Sequence, residues 1–279
     1  MIEQLGQKFA GERYLAGEGL LTAVHLALTL QRPLILEGEP GVGKTELAKV
    51  LASVLGRELI RLQCYEGLDA AQAMYEWDHP KQLLAIRACE AEGRPVGELY
   101  DPEFLMERPL LRALREPCVL LIDEIDRADS EFEAFLLEFL SDFQITIPEL
   151  GTIKASTPPV VVLTSNRTRE LHDALKRRCL YHWIAFPDAA RERAIIDAKV
   201  PGLAEDAAQS LVAAVTGVRA LRLIKPPGIA ETIEWGQAAK VLSDEGSPWP
   251  LALRRSLGLL LKEQEDTEEV LAHAEALGL

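Results

Sequence analysis

The chain has 279 residues, of which 48% are hydrophobic and 27% are charged, and these proportions are close to those of folded globular proteins. Its length corresponds to about two domains, and its composition argues against a disordered or fibrous protein. The net charge of −14 argues against a protein that binds nucleic acid through its overall electrostatic field, because phosphate contacts need clustered Lys and Arg.

The first residues contain no apolar run typical of a signal peptide, and no stretch reaches the roughly 20 apolar residues that a membrane span needs. The four cysteines have neither the spacing of a zinc site nor that of a compact disulfide framework, and we expect reduced thiols. These features predict a cytoplasmic protein without a membrane partner.

Five short, nearly continuous apolar runs predict strands that are buried on both faces, as in a parallel sheet. They cover residues 33–38, 58–64, 118–124, 159–166 and 179–186. Helical patterns lie between them, at 45–55 and at 130–140, where Ser130 as N-cap and Glu133 have the spacing of a capping box. This alternation predicts an α/β domain with a five-stranded parallel sheet.

Two connections between predicted strands are longer than a single crossover helix needs. Residues 65–116 follow the second strand, and we expect helical segments there around 68–74, 80–92 and 102–115. Residues 144–158 precede the fourth strand and are typical of an inserted β-hairpin, with a turn at 148–151.

Beyond residue 187 the pattern changes from strands to helices only. The predicted helices cover residues 188–199, 204–216, 227–242 and 265–277. We therefore predict an α/β domain over residues 1–187 and an all-helical domain over residues 188–279.

A glycine-rich motif follows the first predicted strand. Residues 38–45 read GEPGVGKT and fit the pattern G-x-x-x-x-G-K-[ST] of a phosphate-binding loop (P-loop), in which backbone N–H groups surround phosphates. Lys44 is expected to reach the β- and γ-phosphates and Thr45 to bind Mg²⁺, while the positive end of the next helix faces the same anion. The expected contacts of ATP or ADP are Glu39, Pro40, Gly41, Val42, Gly43, Lys44, Thr45 and Glu46.

Two carboxylates end the third predicted strand. Asp123 and Glu124 follow four apolar residues, and ligands bind at the carboxyl ends of parallel strands. Asp123 is expected to hold Mg²⁺ through Thr45 and water, and Glu124 to orient and polarise the attacking water. Asn166 ends the fourth strand and is expected beside these carboxylates, within reach of the γ-phosphate or the water.

Arg177 and Arg178 lie at the end of a short predicted helix before the fifth strand. A basic helix end complements the helix dipole and needs no function. The alternative, which we favour, is an arginine finger that acts on the nucleotide of a neighbouring subunit, with Arg178 as the stronger candidate.

Together these motifs resemble those of AAA+ ATPases. The segments LEGEPGVGKTELAK, LIDEIDRAD, ALKRRC and KPPGIAETIEW, with both insertions, are similar to the MoxR family of the helix-2-insert group, and within it to the CoxD-like branch. The resemblance implies that Asn166 is the sensor-1 residue. It implies an AAA+ P-loop NTPase fold with a hairpin before the strand that ends in Asn166, and a C-terminal helical lid. It also implies a homo-oligomeric ring, usually a hexamer, and a partner with a von Willebrand factor A domain that helps to mature or activate a client metalloenzyme.

Three features of the sequence leave alternatives open. Many AAA+ proteins have a sensor-2 Arg at the start of the third lid helix, but the corresponding segment here has none, so either Lys225 substitutes for it or the sensor is absent. Tyr75 and Trp77 of the first insertion either face a central pore or a client, or pack on the insertion's own helices. Tyr14 corresponds to the position where the chain of such proteins approaches adenine.

The sequence therefore predicts a Mg²⁺-dependent, ATP-hydrolysing remodelling protein of chaperone-like type. One alternative is a chelatase-type ATPase subunit that drives metal insertion. Two others are a DNA-acting AAA+ motor and a nucleotide-gated binding module with negligible turnover. The acidic net charge argues against the DNA-acting motor, and the presence of Glu124 and the arginine pair argues against the binding module.

Overall fold

The structure, a computed structural model, describes residues 1–93 and 99–279. The strands of these ranges, β1 to β9, are Leu34–Gly38, Glu58–Gln63, Tyr75–Trp77, Leu105–Glu107, Cys118–Asp123, Gln144–Ile147, Gly151–Lys154, Val160–Ser165 and Leu180–Ile184. The α-helices, α1 to α14, are Ile2–Gly11, Glu18–Leu30, Lys44–Leu55, Ala70–Met74, His79–Ala91, Pro109–Arg115, Ser130–Asp142, Asp173–Arg178, Ala189–Lys199, Glu205–Ala220, Ile229–Asp244, Trp249–Arg255, Leu257–Leu260 and Gln264–Ala272.

A five-stranded sheet with the order β2-β5-β8-β1-β9 forms the centre of the α/β part. All of its pairings are parallel, so the predicted parallel sheet is confirmed, with slightly shorter strands. Every residue of β1 and β5 is buried, which explains their continuous apolar runs. Because the strands are parallel, the P-loop after β1 lies at the same sheet edge as the ends of β5 and β8.

Helices cover both faces of this sheet. On one face, α1, α2 and α3 contribute Phe9, Val24 and Leu47 to an apolar cluster with Leu34 and Leu121. The helices of the opposite face contribute Leu110 from α6, Phe132 and Leu136 from α7, and Leu175 from α8. The two N-terminal helices have no counterpart among the predicted elements.

The first insertion contains less helix than predicted. The expected helix over 102–115 is wrong in its first half, where Leu105–Glu107 pairs antiparallel with Tyr75–Trp77 and α6 begins only at Pro109. The ring of Trp77 contacts Tyr75 and Tyr100 edge to face, at centroid distances of 6.3 and 5.2 Å. These contacts of Tyr75 and Trp77 therefore agree with the alternative in which both rings pack within the insertion.

The second insertion is the predicted hairpin. Strands β6 and β7 pair antiparallel, and Gly151, with φ of 81°, supplies the left-handed conformation that the chain needs where it leaves the turn. The predicted N-cap of the preceding helix is wrong by one residue. The Asp129 carboxylate accepts the N–H of Phe132 at 3.0 Å, whereas Glu133 is buried and accepts the N–H of His172 at 2.9 Å.

The C-terminal part is helical, as predicted, and also contains the short helices α12 and α13. Its core surrounds Trp235, whose indole N–H donates to the carbonyl of Leu253 at 2.9 Å. The division of the chain at residue 187 stays a prediction. No helix in the described ranges combines the length and the apolar character that crossing a membrane requires.

An ion pair with a buried carboxylate connects three of the C-terminal helices. Arg219 of α10 binds both carboxylate oxygens of Glu192 on α9, at 2.7 and 2.9 Å. It also donates to the hydroxyl of Thr232 on α11 at 3.1 Å, and it lies over the ring of Phe186, 5.2 Å from the centroid. This guanidinium therefore fixes α9, α10 and α11 against the segment that leaves the sheet.

Candidate functional site

The P-loop joins β1 to α3 through glycines in left-handed backbone conformations. Gly41 has φ of 76° and Gly43 has φ of 91°, a region that residues with a Cβ rarely adopt. Helix α3 begins directly after Gly43, so its unpaired N–H groups and the positive end of its dipole face the loop. This arrangement favours an anion at the loop.

The side chain of Lys44 lies inside the P-loop. Its ammonium donates to the carbonyls of Gly38 and Glu39, at 2.8 Å each, and only 7% of the residue is exposed. Burial lowers the pKa of Lys44, and the carboxylate of Asp126 opposes this shift most strongly among its neighbours. The third donor of the ammonium is the one available to a phosphate.

Asp123 lies at the end of β5 and is 2% exposed. Its Oδ1 accepts hydrogen bonds from the hydroxyl of Thr45 at 3.0 Å and from that of Thr164 at 2.5 Å. Arg61 of β2 donates to its Oδ2 through Nε at 3.0 Å and through a terminal nitrogen at 2.5 Å. The buried carboxylate is thus balanced by two hydroxyls and one cation, as a buried charge requires.

Glu124 has a left-handed backbone, with φ of 56°, and its N–H donates to the hydroxyl of Thr164 at 2.9 Å. Its Oε2 accepts the amide of Gln63 at 3.0 Å and is 3.1 Å from Nε of Arg127. The carboxylate is therefore held toward β2, beside Asp123.

Asn166 follows β8, whose neighbours in the sheet are β5 and β1. The buried carboxylate of Asp126 accepts the N–H of Asn166 at 3.2 Å and both the N–H and the hydroxyl of Thr168, at 2.8 and 2.7 Å. Asp126 thus fixes the turn that carries Asn166. Asp126 is not among the site residues predicted from the sequence, although it is the next carboxylate of the same LIDEID segment.

Arg177 and Arg178 end α8, directly before β9. Because β9 is parallel to β1, the start of β9 lies at the sheet edge opposite the P-loop. Both side chains are exposed, and Nε of Arg178 donates to the hydroxyl of Ser141 at 2.8 Å. The structure therefore does not bring these two arginines to the P-loop of their own chain.

A cavity of about 720 Å³ lies beside the P-loop, within the size range of small-molecule sites. Its walls come from the loop between α1 and α2, the end of β9, and the helices α9 and α11. The hydroxyl of Tyr14 donates to the carbonyl of Gly43 at 3.4 Å, and burial raises the pKa of this phenol. His182 also lines the cavity, and its pKa is lowered by burial and by the nearby Arg191.

The C-terminal helices contact the P-loop directly. The N–H of Ala230 at the start of α11 donates to the carbonyl of Gly41 at 3.1 Å. Gly228 packs so closely that an added Cβ would lie 2.8 Å from the Cα of Gly41 and 2.7 Å from the carbonyl oxygen of Pro40.

A second contact joins the same two parts through an ion pair between Lys199 of α9 and Glu46 of α3, at 3.1 Å. Burial acts to raise the pKa of Glu46, but Lys199 holds it below its usual value. Lys225, the candidate substitute for a sensor-2 Arg, is exposed and pairs with Glu263 at 3.4 Å. The structure therefore does not bring Lys225 to the P-loop.

Two groups of residues form this site. Those predicted from the sequence are Glu39, Pro40, Gly41, Val42, Gly43, Lys44, Thr45, Glu46, Asp123, Glu124 and Asn166. Those that the sequence analysis missed are Arg61, Gln63, Asp126, Thr164, Gly228 and Ala230. Among these residues, Arg61 and Gln63 could have been predicted from the sequence. Both are polar residues near the carboxyl end of a predicted parallel strand, which is the end where ligands bind.

Comparison with known proteins identifies relatives of this chain. The family model of the AAA domain, dynein-related subfamily, matches residues 33–179. Protein NorQ of Paracoccus denitrificans is 27% identical over 68% of this chain and 66% of its own length. The chaperone protein ClpB of Mycoplasma pneumoniae is 31% identical over 47% of this chain and 16% of its own length. The chain thus spans less than two thirds of each of these curated relatives.

Among solved structures, the RuvB Holliday junction branch migration motor of Thermotoga maritima matches 92% of this chain and 73% of its own, with a TM-score of 0.51 and 18% identity. This similarity confirms the AAA+ P-loop NTPase fold and, at this identity, nothing further. The sequence relatives support the resemblance to MoxR-type proteins, whereas the CoxD-like branch stays a prediction. From the family match, which covers more than half of the sequence, the chain belongs to the AAA domain family, dynein-related subfamily, and is an AAA+ protein of MoxR type.

Proposed function

We propose that this protein is an ATPase that hydrolyses ATP to ADP and phosphate with Mg²⁺ and uses the reaction to remodel a protein partner. One observation carries the proposal. Lys44, the hydroxyl of Thr45 and the carboxylate of Asp123 meet at one sheet edge, with a Thr45–Asp123 distance of 3.0 Å, beside a cavity of about 720 Å³. Phosphoryl transfer from a nucleotide needs a phosphate-binding loop, a pair of residues that holds the metal ion, and room for the nucleobase.

The residues at this edge fit a magnesium ion that is bound together with a nucleotide. Among the described residues, no group of three or more His, Cys, Asp and Glu side chains forms a metal site of its own. Magnesium is usually held by one or two carboxylates together with substrate phosphates, and Thr45 and Asp123 supply suitable oxygens. When bound, the ion would neutralise negative charge on the phosphates.

The proposed roles of the other residues follow from their chemistry. Lys44 would donate to the phosphates, and Glu124 would orient and polarise the attacking water after leaving Gln63 and Arg127. Asn166 would hydrogen-bond the γ-phosphate or the water. All of these roles consist of positioning and charge stabilisation, which account for most of the catalysis of phosphoryl transfer.

Arg178, with Arg177 as the weaker candidate, would act on the nucleotide of a neighbouring subunit. The position of α8 at the sheet edge opposite the P-loop supports this arrangement, because a side chain there serves a second copy more readily than its own site. A homo-oligomeric ring, usually a hexamer in MoxR-type proteins, would bring the two edges together.

The partners are proposed from the family resemblance. A protein with a von Willebrand factor A domain and a client metalloenzyme would receive the conformational change that hydrolysis drives. The net charge of −14 supports a protein partner over nucleic acid, so the DNA-acting motor stays the weaker alternative.

The substitution Glu124→Gln tests the water-activating role. We expect the variant to bind ATP as the unchanged protein does but to release phosphate at least about 100-fold more slowly, because the general base is lost. Binding of a fluorescent ATP analogue and phosphate release measure the two properties. Glu138→Gln, at an exposed position of α7, is the matched control, and Lys44→Ala should lose binding itself. Normal turnover in Glu124→Gln would remove Glu124 from the mechanism.

Arginine action between subunits has a complementation test. Arg178→Ala should keep nucleotide affinity within about twofold while turnover falls by about 1,000-fold, and Arg177→Ala should lose less. Mixing the Arg178→Ala protein with the Lys44→Ala protein should restore turnover. The first supplies an intact P-loop, and the second supplies an intact Arg178 to the neighbouring nucleotide. Turnover per subunit that does not depend on protein concentration or on Arg178 would contradict the arrangement.

The contact between α11 and the P-loop predicts a large effect for a small substitution. Gly228→Ala would place a methyl group 2.8 Å from the Cα of Gly41 and should weaken ATP-analogue binding by about tenfold, since backbone on both sides must shift. Gly258→Ala, where an added Cβ meets nothing within 4 Å, is the control. Equal affinities of the two variants would show that nucleotide binding does not depend on this contact.

A further inference from the structure

Arg61 makes a contact that the proposed chemistry does not use. It lies on β2, two residues before Gln63, which pairs in register with Asp123 of β5. Both donating nitrogens of Arg61 bind the same oxygen of Asp123, Oδ2, at 3.0 and 2.5 Å. The other oxygen, Oδ1, already accepts the hydroxyls of Thr45 and Thr164. Oδ2 accepts in addition a longer hydrogen bond from the hydroxyl of Thr45, at 3.3 Å, and Arg61 is its cationic partner.

The two members of this ion pair differ in their surroundings. The side chain of Asp123 is 2% exposed, whereas that of Arg61 is 52% exposed. The guanidinium can move into water at a smaller cost than the carboxylate, because about half of its side chain is already solvated. The carboxylate cannot move with it and needs another cation to balance its buried charge.

Arg61 also has a second place to bind. One of its terminal nitrogens donates to the side-chain carbonyl of Gln63, which lies on the same exposed face of β2. A guanidinium released from Asp123 therefore keeps a hydrogen-bond acceptor next to it. This makes an exchange of cations at Asp123 possible without unfolding of the strand.

We propose that Arg61 is a built-in competitor of Mg²⁺ for the carboxylate of Asp123 and so raises the magnesium concentration at which the nucleotide site is loaded. The inference rests on the proposed function, because it assumes that Asp123 serves a nucleotide-bound magnesium ion. Both cations draw on the same buried negative charge, and the divalent ion has to displace the guanidinium. Arg61 acts through Asp123 and is thus a positioning residue.

The experiment measures magnesium binding without turnover. A fluorescent ADP analogue is held with the protein, and its affinity is followed as Mg²⁺ is raised from an EDTA-buffered start. We expect Arg61→Gln to lower the half-saturating Mg²⁺ concentration by about two- to fivefold, the range for the loss of an ion pair with an exposed partner. Arg61→Lys, which keeps the charge but not the planar fork, should lie between the two.

A matched control separates this effect from a general loss of charge. Arg112→Gln removes a positive charge that pairs with Glu58 at the other end of β2, at 2.7 Å, and should leave the Mg²⁺ dependence as it is in the unchanged protein. Electron paramagnetic resonance of Mn²⁺ in place of Mg²⁺ counts bound metal directly and should show the same order of variants. Thermal unfolding of each variant reports whether it has folded.

The outcomes distinguish the inference from the function on which it rests. If Arg61→Gln and Arg61→Lys fold but need as much Mg²⁺ as the unchanged protein, or more, then Arg61 holds the site together and the competition is refuted. If the unchanged protein fails to bind the ADP analogue at every Mg²⁺ concentration, the proposed function fails and the inference fails with it.

Discussion

The arrangement of the site depends on one buried negative charge. Asp123 ends a strand whose residues are all buried, and its carboxylate has to be balanced by partners from several elements because the sheet excludes water there. Thr45 comes from the P-loop helix, Thr164 from β8 and Arg61 from β2. The order of the sheet, with β5 between β2 and β8, brings these partners together. The strand order thus determines which side chains balance the charge of Asp123.

The C-terminal helices contact the P-loop at the same edge. They contact the loop through backbone and small residues, Gly228 and Ala230 against Gly41, and through the Lys199–Glu46 ion pair. Within residues 1–93 and 99–279, no arginine takes part in these contacts, and Lys225 pairs with Glu263 instead. A contact through the backbone would respond to the shape of the loop, whereas a sensor arginine would respond to the charge of a phosphate. In the proposed ATPase, coupling between nucleotide and lid would thus run through Gly41.

Much of this site could be predicted because its chemistry is local in sequence. The P-loop requires its glycines and Lys44 within eight consecutive positions, and the carboxylates follow directly on an apolar strand. As a polar residue near the end of a predicted strand, Arg61 could be placed at this edge. Its contact with Asp123, like that of Thr164, could not be predicted, since it depends on the strand order and register. The contact of Gly228 with Gly41 joins residues far apart in the chain and carries no local pattern at all.

Errors in the fold have equally specific causes. The apolar spacing over 102–115 is typical of a helix, yet three residues of it pair with Tyr75–Trp77 as an antiparallel strand. Asp129 and Ser130 are both good caps, but Glu133 is buried, accepts the N–H of His172 and pairs with Arg169, so it does not close a capping box. In both places a long-range contact overrides a correct local preference.

The central claim is that the charge of Asp123 makes this edge a magnesium-dependent nucleotide site, and Asp123→Asn tests it with almost no change of shape. The measurement is the affinity of a fluorescent ADP analogue in EDTA and in saturating Mg²⁺. We predict that the affinity in EDTA stays within about twofold of that of the unchanged protein, while the gain that Mg²⁺ brings is lost. An equal gain from Mg²⁺ in the variant and in the unchanged protein would contradict the account.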